Sequence, residues 1–569
     1  MNKNKATPKP ESKKANARGK VNNGKAKKPA RKSNFAEFKA KAQSAAAGVA
    51  PQAPLAKKSE VNRRENSSGI VLTAALIVAV LALNVLVFAI VSVSGAYFPL
   101  VKEKDLTTLS DATDHLFDEA KAAGKKVRIT FFYSFSIDTD VKNHSTGSFV
   151  YRSVENFKEK HPDFIEVNFI NIVTRYSELD EGRVSIEKYQ NAATEEDPLT
   201  RYSVAFECGS KIRIVTDMTS NLAYGDFYTL DDDLYATSYD GEQYIAGMIC
   251  NVIREKTLKA YIVKGHSETL DPAFGRLLTL SGYVYDETDG IDLARTVVPE
   301  DCDLLIISNP TSDFESGAIT SEIEKLRTYM REGGNLMVIL DPIVKKKLVT
   351  LEGFLSEYGI TVSREPLAAD GREICTVIKD SAKATTASPD GYTFYATLAG
   401  GDGLAGQIAS SVKDITGNEV AVSTAGCLEL SGNAQSVLKS SRSSQITLDG
   451  ELFNSDGSYT IAAVSRNAAD LEERGKESTL FVMSGVFSTA SAFLNANGYA
   501  NRDFYYSVFE NAFGAEHMPY GMKMALSVET PAIEGLTMRM ARFYFVLAML
   551  VPTSLAVTGA FVVIKRKNR

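Results

Sequence analysis

The sequence predicts an α/β ectodomain built from parallel-sheet units and flanked by two transmembrane helices. Three observations carry that expectation. Two uncharged apolar runs, Ile70–Val93 and Phe543–Ile564, bracket about 445 residues of globular composition. Inside the bracket, apolar strand-like runs alternate with amphipathic helical patterns. Charge is unevenly divided. Residues 1–69 hold 18 Lys and Arg against 4 Asp and Glu, a net of +14, and the remaining residues hold 46 against 66, a net of −20.

The apolar runs are 24 and 22 residues long, and about 20 suffice to cross a hydrocarbon core. Lys57, Lys58, Arg63 and Arg64 precede the first run. Lys565, Arg566, Lys567 and Arg569 follow the second. The positive-inside rule then places both termini in the cytoplasm and the intervening domain outside the cell membrane, with Tyr97, Phe98, Phe543 and Tyr544 at the outer interface. The first run is longer than a signal-peptide core and lacks a small-x-small cleavage pattern, so it reads as an uncleaved anchor. Setting aside the stretch from Arg539 on, the ectodomain carries 40 basic and 66 acidic residues, a net of −26.

Residues 1–69 form a basic tail whose first part, rich in Lys, Asn, Ala and Pro, is expected to be disordered. Beside a membrane span, such a tail faces lipid headgroups or serves as a solvated topology signal. Nucleic acid is not an expected partner. Between the spans the organisation reads as an α/β domain over 94–257, a second over 258–515 with a Ser/Gly-rich insertion near 364–478, and a linker over 516–542. Residues 565–569 form a basic end.

In the first domain, Ser110 is expected to cap a helix reaching Ala122. "KVRITFFYS", "SFVYRSVENFKEKH" and "FIEVNFI" make a βαβ pattern, and residues 202–216 read as a hairpin about Gly209-Ser210. Asp240 can cap a helix from Gly241 to about Lys256, with Ile245, Met248, Ile249, Val252 and Ile253 on one face. The second domain has strands at 258–265, 303–310 and 335–342, separated by "AFGRLLTLSGY" and "SEIEKLRTYMREGG". Apolar strands alternating with helices predict a parallel sheet covered on both faces. "TLFVMSGVFS" reads as a buried strand returning to that sheet. "NRDFYYSVFENAFG" reads as an amphipathic helix closing the fold.

The five cysteines, at 208, 250, 302, 375 and 427, are scattered and contain no C-x-x-C, which argues against a disulfide scaffold and a thiol redox motif. No phosphate-binding G-x-x-x-x-G-K-[ST], zinc H-E-x-x-H or G-x-S-x-G elbow is present. No metal and no cofactor are expected. Asp231-Asp232-Asp233 lacks the alternation of a calcium loop and reads as a solvated turn.

The candidate ligand or partner loop is His266, Ser267 and Glu268, just past the carboxyl end of a strand, with Asp341 past the end of another. Such ends are where α/β sheets place ligands. His266 and Glu268 could act as a general-base pair on a nucleophile. The plainer reading is a polar strand-to-helix loop in which Ser267 or Glu268 caps the next segment. For Asp341-Pro342 it is a strand stop.

Several stretches together resemble the gliding-motility GldG-like auxiliary components of ABC transport systems. In order they are "TTLSDAT", "VRITFFYS", "YDGEQYIAGMICNVI", "KAYIVKGHSETLD", the long run 299–342, "NRDFYYSVFENAFG" and the terminal span. The resemblance implies flavodoxin- or amidotransferase-like units, a separate ATPase and a separate multi-span permease as partners, and no catalytic residues. Two features depart from the pattern. Ser484-Gly485-Val486-Phe487 replaces a Gly-Asp-type loop, and the long basic tail has no counterpart. The expected function is a non-catalytic accessory membrane subunit whose ectodomain scaffolds, gates or contacts cargo or envelope. The alternatives are an envelope-facing amidotransferase- or hydrolase-like enzyme using His266 and Glu268, and a membrane-anchored envelope sensor.

Overall fold

The computed structural model describes residues 106–527, except 145, 194–197, 220–226, 231–235, 286–289, 318, 320, 344–345, 369–370, 387, 416–418, 468–476, 497 and 523–525, together with 557–559, 561–562 and 564–566. The basic tail, the run Ile70–Val93, most of Phe543–Ile564 and Asp231-Asp232-Asp233 therefore lie outside the described residues. Among the described residues, no helix is long and apolar enough to cross a membrane. Residues 106–527 fall within one compact unit.

The first sheet grows from the predicted βαβ unit. Strand β1 (Val127–Tyr133) is buried at every position but Arg128. It pairs in parallel with β2 (Ile165–Asn171), from Val127↔Ile165 to Tyr133↔Asn171. Between them, α1 (Gly147–Lys160) buries Val150, Val154 and Phe157, the stripe its 3.6-residue period places on one side. The predicted hairpin is β3 (Val204–Cys208) and β4 (Lys211–Val215), turning on Gly209, whose φ of +61° suits glycine. β3 joins the other side of β1, which leaves β4 at the edge of a six-stranded sheet.

Two expectations in this region are corrected. The helix through Ala122 is instead a 3-10 turn, Asp111–Thr113, followed by a short helix, Asp118–Ala122. Ser110 does not cap it. Its N–H and its hydroxyl both donate to Glu242 Oε1 at 2.6 Å, because that buried carboxylate needs donors. Helix α2 (Gly241–Ile253) is buried at every position rather than on one face, and Asp240 makes no capping bond. The helix packs on α1, β3, β4 and the helix that follows β5, so no side is left for water. Its polar side chains find internal partners. Gln243 donates to the Tyr506 hydroxyl at 2.6 Å and Asn251 to the Thr279 carbonyl at 2.8 Å. Asp240 faces Arg276 at 3.3 Å and Arg502 at 4.0 Å.

The second sheet has twelve strands. β5 (Leu258–Lys264), β6 (Tyr283–Val284), β7 (Leu304–Ser308) and β8 (Asn335–Leu340) are parallel. They are connected by α3 (Pro272–Leu280) and α4 (Glu322–Arg331). The Ser/Gly-rich stretch is an insertion in chain order, but its strands extend the same sheet instead of standing apart. β9 (Thr393–Leu398), β10 (Val420–Ser423), β11 (Gln435–Lys439) and β12 (Thr460–Asn467) add antiparallel. They reach β13 (Ser478–Ser484), which pairs antiparallel with β12 and parallel with β8. The strand expected to return to the sheet does so there, buried at all seven positions.

Alternation along these strands divides the core between two faces. Ile262, Ile306, Met337, Ile339, Phe481 and Met483 face one cluster with α5 (Asn501–Asn511). Val263, Leu305, Ile307, Val338, Leu480 and Val482 face another with α4. Helix α5 is not amphipathic in place, since Asn501 through Phe509 are all buried. Asn501 exchanges bonds with the Ala421 backbone at 2.8 Å and Ser507 donates to the Ile408 carbonyl at 2.9 Å. Most of the polar face finds partners inside the protein, Arg502 Nε excepted. The parallel strands run β6-β5-β7-β8-β13, so the switch point lies between β5 and β7 at their carboxyl ends.

Candidate functional site

His266 sits at that switch point. The chain leaves β5 through Gly265, at φ +120°, and Ser267, at φ +62°. The neighbouring strand β7 ends at Asn309, at φ +56°. Two adjacent strand ends thus carry non-glycine residues in the left-handed region, a conformation that surrounding contacts must hold. Thr311 N–H donates to the His266 carbonyl at 2.9 Å, Thr269 N–H to Ser308 at 3.1 Å, and the Ser308 hydroxyl to Thr269 at 2.7 Å. The loops after β5 and β7 are laced together.

The imidazole lies between two carboxylates. Its Nδ1 is 2.9 Å from Glu268 Oε1 and its Nε2 3.1 Å from Glu322 Oε2. Glu268 Oε2 also accepts the His266 backbone N–H at 2.7 Å, and Glu322 Oε2 accepts that of Glu315 at 2.7 Å. The ring stacks on Phe314 with centroids 3.8 Å apart. The His266 and Glu268 side chains are 6% and 2% exposed, so the cluster fills the crevice instead of lining an opening. Burial opposes charge on the ring, but the hydrogen bonds and charges of Glu268 and Glu322 outweigh it. They hold His266 above its ordinary 6.5. With both nitrogens facing carboxylates, the fitting form is the doubly protonated imidazolium.

This geometry bears directly on acid–base use. A general base needs a free ring nitrogen aimed at the proton it takes. Here both are engaged, and no hydroxyl or thiol hydrogen-bonds to the ring among the described residues. Neither Ser267 nor Glu268 caps the next helix. Asp271 does, accepting from Ala273 N–H at 2.9 Å, with Pro272 in the first turn. Glu322 is the member that residue-by-residue reading missed. It lies 56 positions from His266 and is delivered by the crossover from β7 into α4, which no local spacing encodes.

Asp341 stands at the same carboxyl edge, without a hydrogen bond to the His266 loop among the bonds of the described residues. Its Oδ1 accepts the Ile343 N–H at 2.9 Å, closing the turn that ends β8 before Pro342 can continue it. It borders a narrow cleft of about 10 Å³ with Pro310, Arg364 and Ser484, room for about one water. Arg364 is held there by Glu352, with nitrogen–oxygen distances of 2.8–3.0 Å. All five cysteines are free thiols, and no group of three metal-ligating side chains occurs among the described residues.

No protein-family model and no curated protein matches the chain. Solved structures similar to part of it include one titled "mmIFT52 N-terminal domain", at 15% identity and a TM-score of 0.30, covering 44% of this chain and 96% of that one. A ThuA-like protein from Bacteroides uniformis matches at 12% identity and 0.27, covering 46% and 95%. PurLQS from Thermotoga maritima matches at 10% and 0.24, covering 45% and 99%. Likenesses this distant carry no argument about function.

Proposed function

We propose that this chain is a non-catalytic accessory membrane subunit of an ABC-type transporter, similar to GldG-like components. In this reading, Ile70–Val93 and Phe543–Ile564 anchor it in the cell membrane and the α/β unit acts outside as a scaffold or gate. The observation that supports this best is the crevice between β5 and β7. There, where a parallel sheet of this order offers a ligand site, the chain's own Glu268–His266–Glu322 cluster occupies the space. A loop laced shut in this way suits a rigid docking element better than turnover of a substrate. The lack of a G-x-x-x-x-G-K-[ST] phosphate loop means that a partner must supply ATP hydrolysis, and two spans are too few to line a path alone. The partners are therefore a separate ATPase and a multi-span permease, with membrane lipid around the spans.

Purification of the full chain from native membranes in mild detergent, with identification of stoichiometric companions, tests this. A nucleotide-binding protein and a multi-span protein should co-purify. Recovery of neither sinks the proposal.

A further inference from the structure

A cavity lies away from the switch point, along edge strand β4. It is a groove of about 380 Å³ bordered by Lys188, Asn191, Ser210, Lys211, Arg213 and Asn251 among others, with no carboxylate among the described residues of its lining. That is unexpected in an ectodomain of net −26. Lys211 and Arg213 are two apart on one strand and so share a side of it, opposite Cys208 and Phe206 of β3.

Most cations nearby have a structural explanation. Lys125 donates to the Ile253 carbonyl at 2.6 Å, and Lys211 to those of Arg254 and Glu255, the latter at 2.7 Å. Both serve the carbonyl end of α2, where the helix dipole favours positive charge. Arg254 is spent on Asn251 and on the Glu516 and His517 carbonyls. Lys188 pairs with Glu207. Arg213 has no such account. Its guanidinium meets no acceptor, carboxylate or aromatic ring among the described residues. Burial lowers its pKa with no opposing carboxylate. Lysine and arginine on an edge strand do discourage edge-to-edge pairing, but that needs neither a concavity nor a lysine arriving from the helix Glu187–Ala192.

We propose that this groove is an oxyanion site, in which Arg213 holds a phosphate-class group with Lys188 and Lys211 flanking it. A guanidinium fork suits paired oxygens, and the volume falls within the roughly 300–1,000 Å³ of small-molecule sites, enough for a phosphomonoester. The ectodomain's overall negative charge does not forbid this, because screening limits its reach to about 8 Å at physiological salt. The proposal stands whether or not the chain serves a transporter.

Calorimetric titration of the full chain in neutral-detergent micelles tests it, using inorganic phosphate, glycerol 3-phosphate and micelles doped with phosphatidylglycerol. The same titrations are run on E195Q/E196Q/D197N, which neutralises the acidic run that follows Thr194 in the sequence. Saturable binding should weaken about tenfold or more in Arg213→Gln, the loss of one charge-assisted bond, and return in part in Arg213→Lys. Binding of the free phosphates alone assigns the source to small solutes. Binding of the doped micelles assigns it to lipid headgroups. Either supports the site. Absence of saturable binding in both backgrounds, or binding unchanged by Arg213→Gln with the fold intact by circular dichroism, overturns it.

Discussion

The carboxyl edge of the twelve-stranded sheet and the free edge of the six-stranded one reverse what their positions suggest. At the first, strand order marks a ligand crevice, yet His266, Glu268 and Glu322 satisfy one another and shut it. At the second, nothing in the topology marks a site, yet a groove stays open and Arg213 lacks a partner among the described residues. Position in a fold shows where a ligand could go, and the accounting of hydrogen bonds and charge shows whether the place is already taken.

Breaking the closed side should have the largest effect. Glu322→Ala strips Nε2 of its acceptor and leaves the Glu315 N–H unpaired, and should cost about 3 kcal/mol of unfolding free energy. A denaturant titration showing a loss under about 1 kcal/mol would mean that the cluster does not seal the crevice. His266→Ala should cost somewhat less, about 2 kcal/mol, because water can enter the vacated space and solvate the carboxylates. It should also speed amide exchange at Thr269, Thr311 and Ser312, which are tied to that loop. Protection unchanged at those amides would argue against a laced loop.

The pH profile sharpens the contrast further. His266 is held above 6.5 in the fold, so its contribution is complete below 6.5 and is lost as pH rises through the raised value. His161 runs the other way. Burial first, then the nearby Lys121, pushes it down to about 4, so its contribution is complete above 6.5 and is lost as pH falls towards 4. Stability measured against pH should lose its alkaline slope near neutrality in His266→Gln and keep its acid slope. A profile in which both limbs survive would detach the imidazolium from the stability of the loop.

The smallest effects belong to the open side and to Asp341. Arg213→Gln should change stability by less than about 0.5 kcal/mol, because no bond among the described residues is lost. Asp341→Asn keeps the oxygen that accepts the Ile343 N–H and should likewise stay within about 0.5 kcal/mol in a thermal melt. A larger loss at Arg213 would reveal a structural duty there.

Much of the α/β core was legible because periodicity is local. The parallel strands 258–264, 304–308 and 335–340 and the hairpin at Gly209 announce themselves by apolar runs and a turn residue. Helices α2 and α5 misled for a physical reason. Each looks amphipathic alone, but the polar side is buried against Tyr506, Thr279, Ala421 and Ile408, none of which is near in sequence. The region 364–478 reads as a Ser/Gly-rich insertion with short strands, but that these strands continue the parallel sheet, through the pairing of β12 with β13, depends on partners distant in sequence.

The sequence by itself determined the alternation of strands and helices, the basic tail, the two apolar runs and the absence of a G-x-x-x-x-G-K-[ST] loop and of a zinc H-E-x-x-H, all properties of composition and short-range order. It also picked out Gly265-His266-Ser267-Glu268 as a loop at a strand end. Only the tertiary structure decided that Glu322 closes the loop from 56 residues away, and that Arg213 faces a groove with no carboxylate to meet it among the described residues. Burial and charge pairing are properties of neighbours in space, and chain crossovers choose those neighbours without leaving a local pattern.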